Sequence, residues 1–221
     1  MPMNTSMRVE RSTVGRQVAD RLREAVSDGR LPAGERLTER ALCEMTGAGR
    51  ASVREALRAL EAEGVIENSP HRGPTVPRVS AAQARDLYAV RAVLEGFAAR
   101  GFAVNAGDAD RASLDAALDA LAKADGTAAL LTAKATFYGA LVRGCGNAVV
   151  GELLGRLHQR IAVLRATSMA RPERLPQSLA ELRGLVDALA RRDAPAAERL
   201  AIAHIRAAEA AALPMLQEHT P

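Results

Sequence analysis

Tryptophan is absent from this chain, and aromatic residues make up only 2% of it. A stacking platform of the kind that holds single-stranded nucleic acid is therefore excluded. Cysteine is scarce too: Cys43 and Cys145 stand alone, with no CxxC pair and no histidine-rich spacing around them. That argues against a disulfide framework or a zinc knuckle and agrees with a reducing cytoplasm. Apolar stretches are broken by charges well before membrane-spanning length, and Met1–Glu10 is polar, without the apolar core of a signal segment. The expectation is a cytoplasmic protein with no membrane partner. There is no activated Ser or Cys constellation, no Gly-rich phosphate loop and no paired-carboxylate motif, so no enzymatic activity is expected. A bulk excess of one charge is also missing. Residues 1–78 hold 13 Arg and no Lys against 11 acids, and the remainder holds 17 bases against 15 acids, so each part carries +2 of the net +4. An anionic partner has to be argued from local arrangement.

Such an arrangement is present. The 221 residues are 48% hydrophobic and 25% charged, enough for one large domain or two smaller ones with a real core. In Gly49–Leu60, Val53, Ala56, Leu57 and Leu60 form an apolar stripe at helical spacing. Arg50, Arg54 and Arg58 climb beside it, four residues apart. A short helix with one side in a core and an arginine ladder next to it suits reading of the major groove, since arginine grips guanine O6 and N7 with two hydrogen bonds. A charged helix face can equally be a solvated surface, so the neighbouring segments decide.

Residues 1–12 read as a flexible tail. Val14, Val18, Leu22 and Val26 then predict a helix ending near Asp28-Gly29. Pro32 and Gly34 mark a turn. Thr38 caps a second short helix, with Glu39 in its first turn and Leu42 and Met45 as apolar contacts. Gly47 supplies a left-handed C-terminal residue, and only Ala48 and Gly49 separate this helix from the arginine-bearing one. Two short helices on a tight glycine turn make a helix-turn-helix. Val65–Asn68, the turn-rich Ser69–Pro74 and Thr75-Val76 read as a β-hairpin with Arg72 and Gly73 at its tip. A basic tip with a glycine permits close approach to a phosphate or to the minor groove. With this wing, DNA binding outweighs the solvated-face reading.

The pattern Asp28-Gly29-x-Leu31-x-x-Gly34-x-x-Leu37-x-Glu39-x-x-Leu42, then Arg50-x-x-Val53-Arg54-Glu55-Ala56-Leu57-x-x-Leu60-x-x-x-Gly64, resembles the GntR family of bacterial transcription regulators. The resemblance implies operator binding by a dimer. It places Arg40, Arg50, Ser52 and Arg54 on DNA, and Arg72 and Gly73 in a wing at the minor groove. It further implies a half-site containing GT paired to AC, with Arg50 and Arg54 reading guanines. The family commonly has Ser or Thr where this chain has Gly49, so a hydroxyl contact is missing here.

Pro77–Ser80 reads as a hinge, and everything after it is helical. Ser80 caps a helix bearing Leu87, Val90, Val93, Leu94, Phe97 and Ala98. Others begin near Gly107, Gly126 and Asn147, the fifth spans about Leu179–Arg191 after a loop with Pro172 and Pro176, and the sixth starts at Pro195. The expected fold is mainly α: an N-terminal winged helix-turn-helix over residues 13–78 and a C-terminal antiparallel bundle of six helices over residues 79–221. Asp86–Glu95, Gly146-Asn147 and the segment Arg171–His204 are similar to the FCD effector domain of the FadR-like GntR regulators. Six helices on a short hinge resemble the VanR-type subgroup.

Many FCD domains hold a divalent metal with one aspartate and three histidines, and here the resemblance breaks down. The family's Asp-x-x-x-His falls on Lys134–Tyr138 and its Glu-His on Glu181-Leu182; only the last histidine is kept, as His204. One imidazole facing an ammonium and a leucine holds no metal usefully. No metal and no other cofactor is expected. Lys134, with Arg91, Tyr138 and His204, is instead expected to bind a small acidic effector, a carboxylate, directly. The competing reading is that Lys134 snorkels to the surface or pairs with Glu95, and that Arg91 pairs with Glu95. The expectation is a metabolite-responsive repressor binding a short inverted-repeat operator in double-stranded DNA as a homodimer. Two alternatives are an effector-independent architectural DNA-binding protein and an all-helical enzyme fused to a DNA-binding head.

Overall fold

A computed structural model describes residues 13–27, 29–69, 73–169 and 173–217. The tail expected over residues 1–12 and the wing residues His71 and Arg72 lie outside the described residues.

The first unit holds α1 (Val14–Ser27), α2 (Glu39–Thr46), α3 (Arg50–Ala62) and a hairpin of β1 (Glu67–Ser69) and β2 (Gly73–Thr75). Its core joins Val18 and Leu22 of α1 to Leu42 of α2, Val53, Leu57 and Leu60 of α3, and Ile66 and Val76 flanking the hairpin. Local chemistry sets the bounds of α2. The Thr38 hydroxyl accepts from the Ala41 amide, and Gly47, at φ +67°, returns its own amide to the Cys43 carbonyl. The strands pair antiparallel with Glu67 opposite Thr75 and Ser69 opposite Gly73, and an isolated bridge adds Arg36 to Thr75. Two details differ from the sequence reading. Val14 is exposed rather than in the apolar face of α1, as is Met45 of α2. The first strand begins two residues later than expected, because Val65 and Ile66 are spent as core plugs rather than ladder residues, and the second begins two residues earlier, at Gly73.

The second unit is six helices: α4 (Ala81–Asn105), α5 (Asp108–Lys123), α6 (Thr127–Gly144), α7 (Ala148–Met169), α8 (Arg174–Ala190) and α9 (Ala194–Gln217). Ser80 and Gln83 form a reciprocal capping box at the start of α4. Helix α4 packs along α9, where Gly96 meets the Ile202 side chain, and α5 pairs with α6. The main core gathers Phe102, Leu114, Leu121, Phe137, Leu141, Leu182 and Leu185. Helix α8 starts at Arg174, five residues before the expected Leu179. Pro176 sits in its first turn, where the missing amide hydrogen costs nothing.

Helix α4 is apolar on two opposite sides. Tyr88, Ala98, Ala99 and Phe102 face the core, whereas Val90, Val93, Phe97 and Val104 are 45%, 69%, 48% and 61% exposed. On α7, Val149 and Leu153 are also exposed. The sequence reading named Val90, Val93 and Phe97 together with Leu87, Leu94 and Ala98 as the apolar residues of this helix; spacing alone does not say which of two apolar stripes turns inward.

Candidate functional site

Two groups of residues stand out. The first lies on the helix-turn-helix. Burial of Val53, Ala56, Leu57 and Leu60 turns the other side of α3 outward, so Arg50 and Arg54 are exposed and Ser52 is half-buried. Gly49 takes the N-cap position with extended backbone and, having no side chain, caps nothing. Arg40 on α2 is exposed and lies 3.4 Å from Glu44. Arg54 donates from Nε to Glu39 Oε1 at 2.7 Å, tying α3 to the start of α2. Gly73 opens β2 with φ +71°, a conformation that favours glycine. Arg72, its neighbour at the wing tip, lies outside the described residues.

The second group is gathered between five bundle helices, buried except for the half-buried Glu181. Arg91 and Glu95 come from α4, Lys134 and Tyr138 from α6, Arg165 from α7, Arg174, Ser178 and Glu181 from α8, and His204 from α9. Lys134 is 4% exposed, so it does not snorkel, and its Nζ donates to Ser178 Oγ at 2.9 Å rather than to Glu95. Arg91 donates to Glu95 at 2.9 Å. Arg174 clamps Glu181 with bonds of 3.0 and 2.8 Å, and Glu181 also meets His204 Nδ1 at 2.5 Å. Arg165 stacks over the Tyr138 ring with its guanidinium carbon 4.2 Å from the centroid, and Tyr138 in turn lies beside the His204 ring. The four residues expected at an effector site are therefore brought into one cluster.

Its charges do not balance. Among the described residues, four basic side chains, Arg91, Lys134, Arg165 and Arg174, share two carboxylates, Glu95 and Glu181. Arg91 Nη1, Arg165 Nε and Glu95 Oε2 are buried without a hydrogen-bond partner among the described residues. Burial, then the charges of Arg165, Arg174 and Arg91, bring the Lys134 ammonium down to about 7. Burial also lowers Arg165 to about 10, with Arg91 adding to the effect. The same desolvation takes His204 to about 4 despite its bond to Glu181, so the imidazole is neutral near pH 7 and donates from Nδ1. Leaving this much positive charge away from water is costly without an anion to neutralise it.

This donor set does not suit a metal. The positions that correspond to the family's ligands hold an ammonium at Lys134, a phenol at Tyr138 whose ionisation burial opposes, and the fully buried Leu182. Among the described residues no three His, Cys, Asp or Glu side chains gather.

The sequence reading missed Arg165, Arg174 and Ser178 as members of this group. Arg174, Ser178 and Glu181 repeat at i, i+4 and i+7, a signal hidden when the segment before Leu179 is read as a loop.

Comparison with known proteins agrees with this two-part architecture. Residues 14–76 match the model of bacterial regulatory proteins of the gntR family, and residues 86–207 match the FCD domain. The chain is 31% identical over 207 residues to a protein of Paenarthrobacter nicotinovorans named "Probable D-xylose utilization operon transcriptional repressor", covering 92% of this chain and 90% of that one. It is 34% identical over 110 residues to the Glc operon transcriptional activator of Escherichia coli K12, covering 42% and 43% of the two chains. In fold it is similar to E. coli McbR/YncC, with a TM-score of 0.79 at 23% identity over 93% of this chain and 98% of that one. No helix among the described residues is long and apolar enough to cross a membrane.

Proposed function

Because this chain belongs to the gntR family of bacterial regulatory proteins and carries an FCD domain, we propose that it is a metabolite-responsive repressor that senses a small organic acid without a metal. Family membership makes it a DNA-binding transcriptional regulator and not an enzyme. Residues 13–78 bind a short inverted-repeat operator, and residues 79–221 dimerise and hold the effector, in the manner of the FadR-like, VanR-type regulators. Arg40, Arg50, Ser52 and Arg54, with Arg72 and Gly73 of the wing, contact the duplex; two copies set their α3 helices in successive major grooves. The exposed stripe of Val90, Val93, Phe97 and Val104 supports the homodimer, since an apolar helix face of this length favours cover by a partner. Repression is the sign in the name of the Paenarthrobacter nicotinovorans relative, which matches nearly the whole chain.

The observation that carries the effector reading is the buried excess of cations around Lys134. Arg91, Lys134, Tyr138 and His204 hold the carboxylate, and Arg165, unpaired at Nε, joins them. Binding shifts the equilibrium between two arrangements of the DNA-binding heads across the Pro77–Ser80 hinge, by the difference in effector affinity between them. The test uses a duplex selected by the wild-type protein from a randomised pool. Organic acids that release wild type from that duplex, read by fluorescence anisotropy, are expected to leave Lys134→Met bound. Equal release of both proteins removes Lys134 from the site.

A further inference from the structure

Among the described residues, Glu39 is the acid that pairs with the arginine ladder. It is the first residue of α2, directly after the Thr38 cap, where the helix dipole and the free amides of the first turn favour a carboxylate. Its Oε1 accepts the Nε hydrogen of Arg54 across the helix-turn-helix at 2.7 Å. The hydrogen bond from Arg54 holds the Glu39 carboxyl below its usual range, with the charges of Arg54 and Arg50 adding to it. Both side chains are partly in solvent, at 57% and 38% exposure, so as a fold-stabilising contact the pair is worth little.

Its geometry is informative in another way. A guanidinium has five N–H donors, one on Nε and four on the two Nη atoms. The bond to Glu39 uses Nε alone, and among the described residues the Arg54 guanidinium makes no other hydrogen bond. The two Nη atoms are the end that can form the paired bonds to guanine O6 and N7. An arginine tethered at Nε loses less side-chain freedom when it binds, because its plane is already held.

We propose that Glu39 is a positioning residue for base reading: it holds Arg54 by Nε so that the Nη edge is presented to a guanine. A carboxylate beside the groove also penalises any placement that brings a phosphate against it, so the same residue weakens binding to unrelated sequence. The inference rests on α3 being the groove-reading helix.

Two effects of opposite sign follow, which a merely structural ion pair would not produce. Full-length wild type, Glu39→Gln, Glu39→Asp and Arg54→Ala are each used to select duplexes from a randomised pool. Affinities are then measured for the wild-type consensus duplex and for mixed-sequence genomic DNA. Arg54→Ala is expected to lose preference at one base pair and about ten- to hundredfold in consensus affinity. Glu39→Gln is expected to relax preference at that same base pair and to lose about tenfold, while binding mixed-sequence DNA more tightly than wild type. Glu39→Asp, which keeps the charge, is expected to recover part of the preference. If Arg54→Ala retains wild-type preference and affinity, α3 does not read DNA through Arg54, and the proposal falls with that reading. If Arg54→Ala loses its base but Glu39→Gln does not, the positioning role alone is overturned. A Glu39→Gln change at a different base pair also overturns it, since Glu39 would then be reading a base itself.

Discussion

Lys134 joins the sequence to the chemistry of the bundle. Its ammonium is buried against a hydroxyl and three guanidinium charges, with Glu181 compensating in part. Replacing a poorly neutralised buried cation with an apolar side chain of similar length is expected to leave the ligand-free protein as stable as wild type, or up to about 4 kcal/mol more stable. Thermal unfolding of Lys134→Met checks this, and a markedly lower midpoint contradicts it. The pH dependence follows from the same group. Its folded value of about 7 lies below the ordinary 10.5, so between these values the unfolded chain binds the extra proton. Stability of the ligand-free protein therefore rises with pH over that window as far as Lys134 sets it. An anion favours the charged form, so effector affinity runs the other way and falls as pH rises above about 7, by at most about tenfold per unit. Calorimetric titration with an organic acid near neutral pH checks this; His204 at about 4 and Arg165 at about 10, which also face Lys134, lie outside that range. That a lysine and a single histidine stand at positions where the FCD resemblance implies metal ligands was legible from residue identities. Their partners were not, because Ser178 and Arg165 lie on other helices and only packing brings them in.

Among the elements, α3 is the one the sequence describes best. Its core stripe and arginine ladder follow from a single helical period, and Val53, Ala56, Leu57 and Leu60 are all buried. Leu60→Ala is expected to destabilise the first unit by about 2–5 kcal/mol, since the side chain is fully buried among the α1 and hairpin residues. The weak point of α3 is its start. Gly49 has the extended backbone of an N-cap, no side-chain bond, and open space where a Cβ would stand. Gly49→Ser is expected to add a few tenths of a kcal/mol of stability and to strengthen operator binding through the added hydroxyl. Chemical denaturation and duplex titration read the two effects separately. Helix α8 shows why other elements were harder to read. Pro176 looks like a loop marker in sequence, yet a proline in a first turn is tolerated, and only the fold distinguishes the two. Helix α4 posed a different ambiguity, because residues on both of its faces are apolar.

For the molecule as a whole, that second face of α4 becomes a prediction. Phe97→Asp combined with Val93→Asp is expected to convert a dimer to a monomer in light scattering while the helical content of the circular dichroism spectrum is kept. Duplex affinity should then drop steeply, because each half-site is held by one head alone. A mutant that stays dimeric places the interface elsewhere.

The central claim is that the bundle senses an organic acid directly, through a cation cluster at the positions where the FCD resemblance implies metal ligands. Its most direct test is a thermal-shift screen of metal-stripped protein against divalent metals and a panel of organic acids. Native-state ligands raise the midpoint by mass action. The account predicts a saturable rise with an acid, none with zinc, nickel or manganese, and loss of the acid response in Lys134→Met. A rise with zinc or nickel alone would contradict it and would mean that the metal site persists on residues other than Lys134, Tyr138 and Leu182.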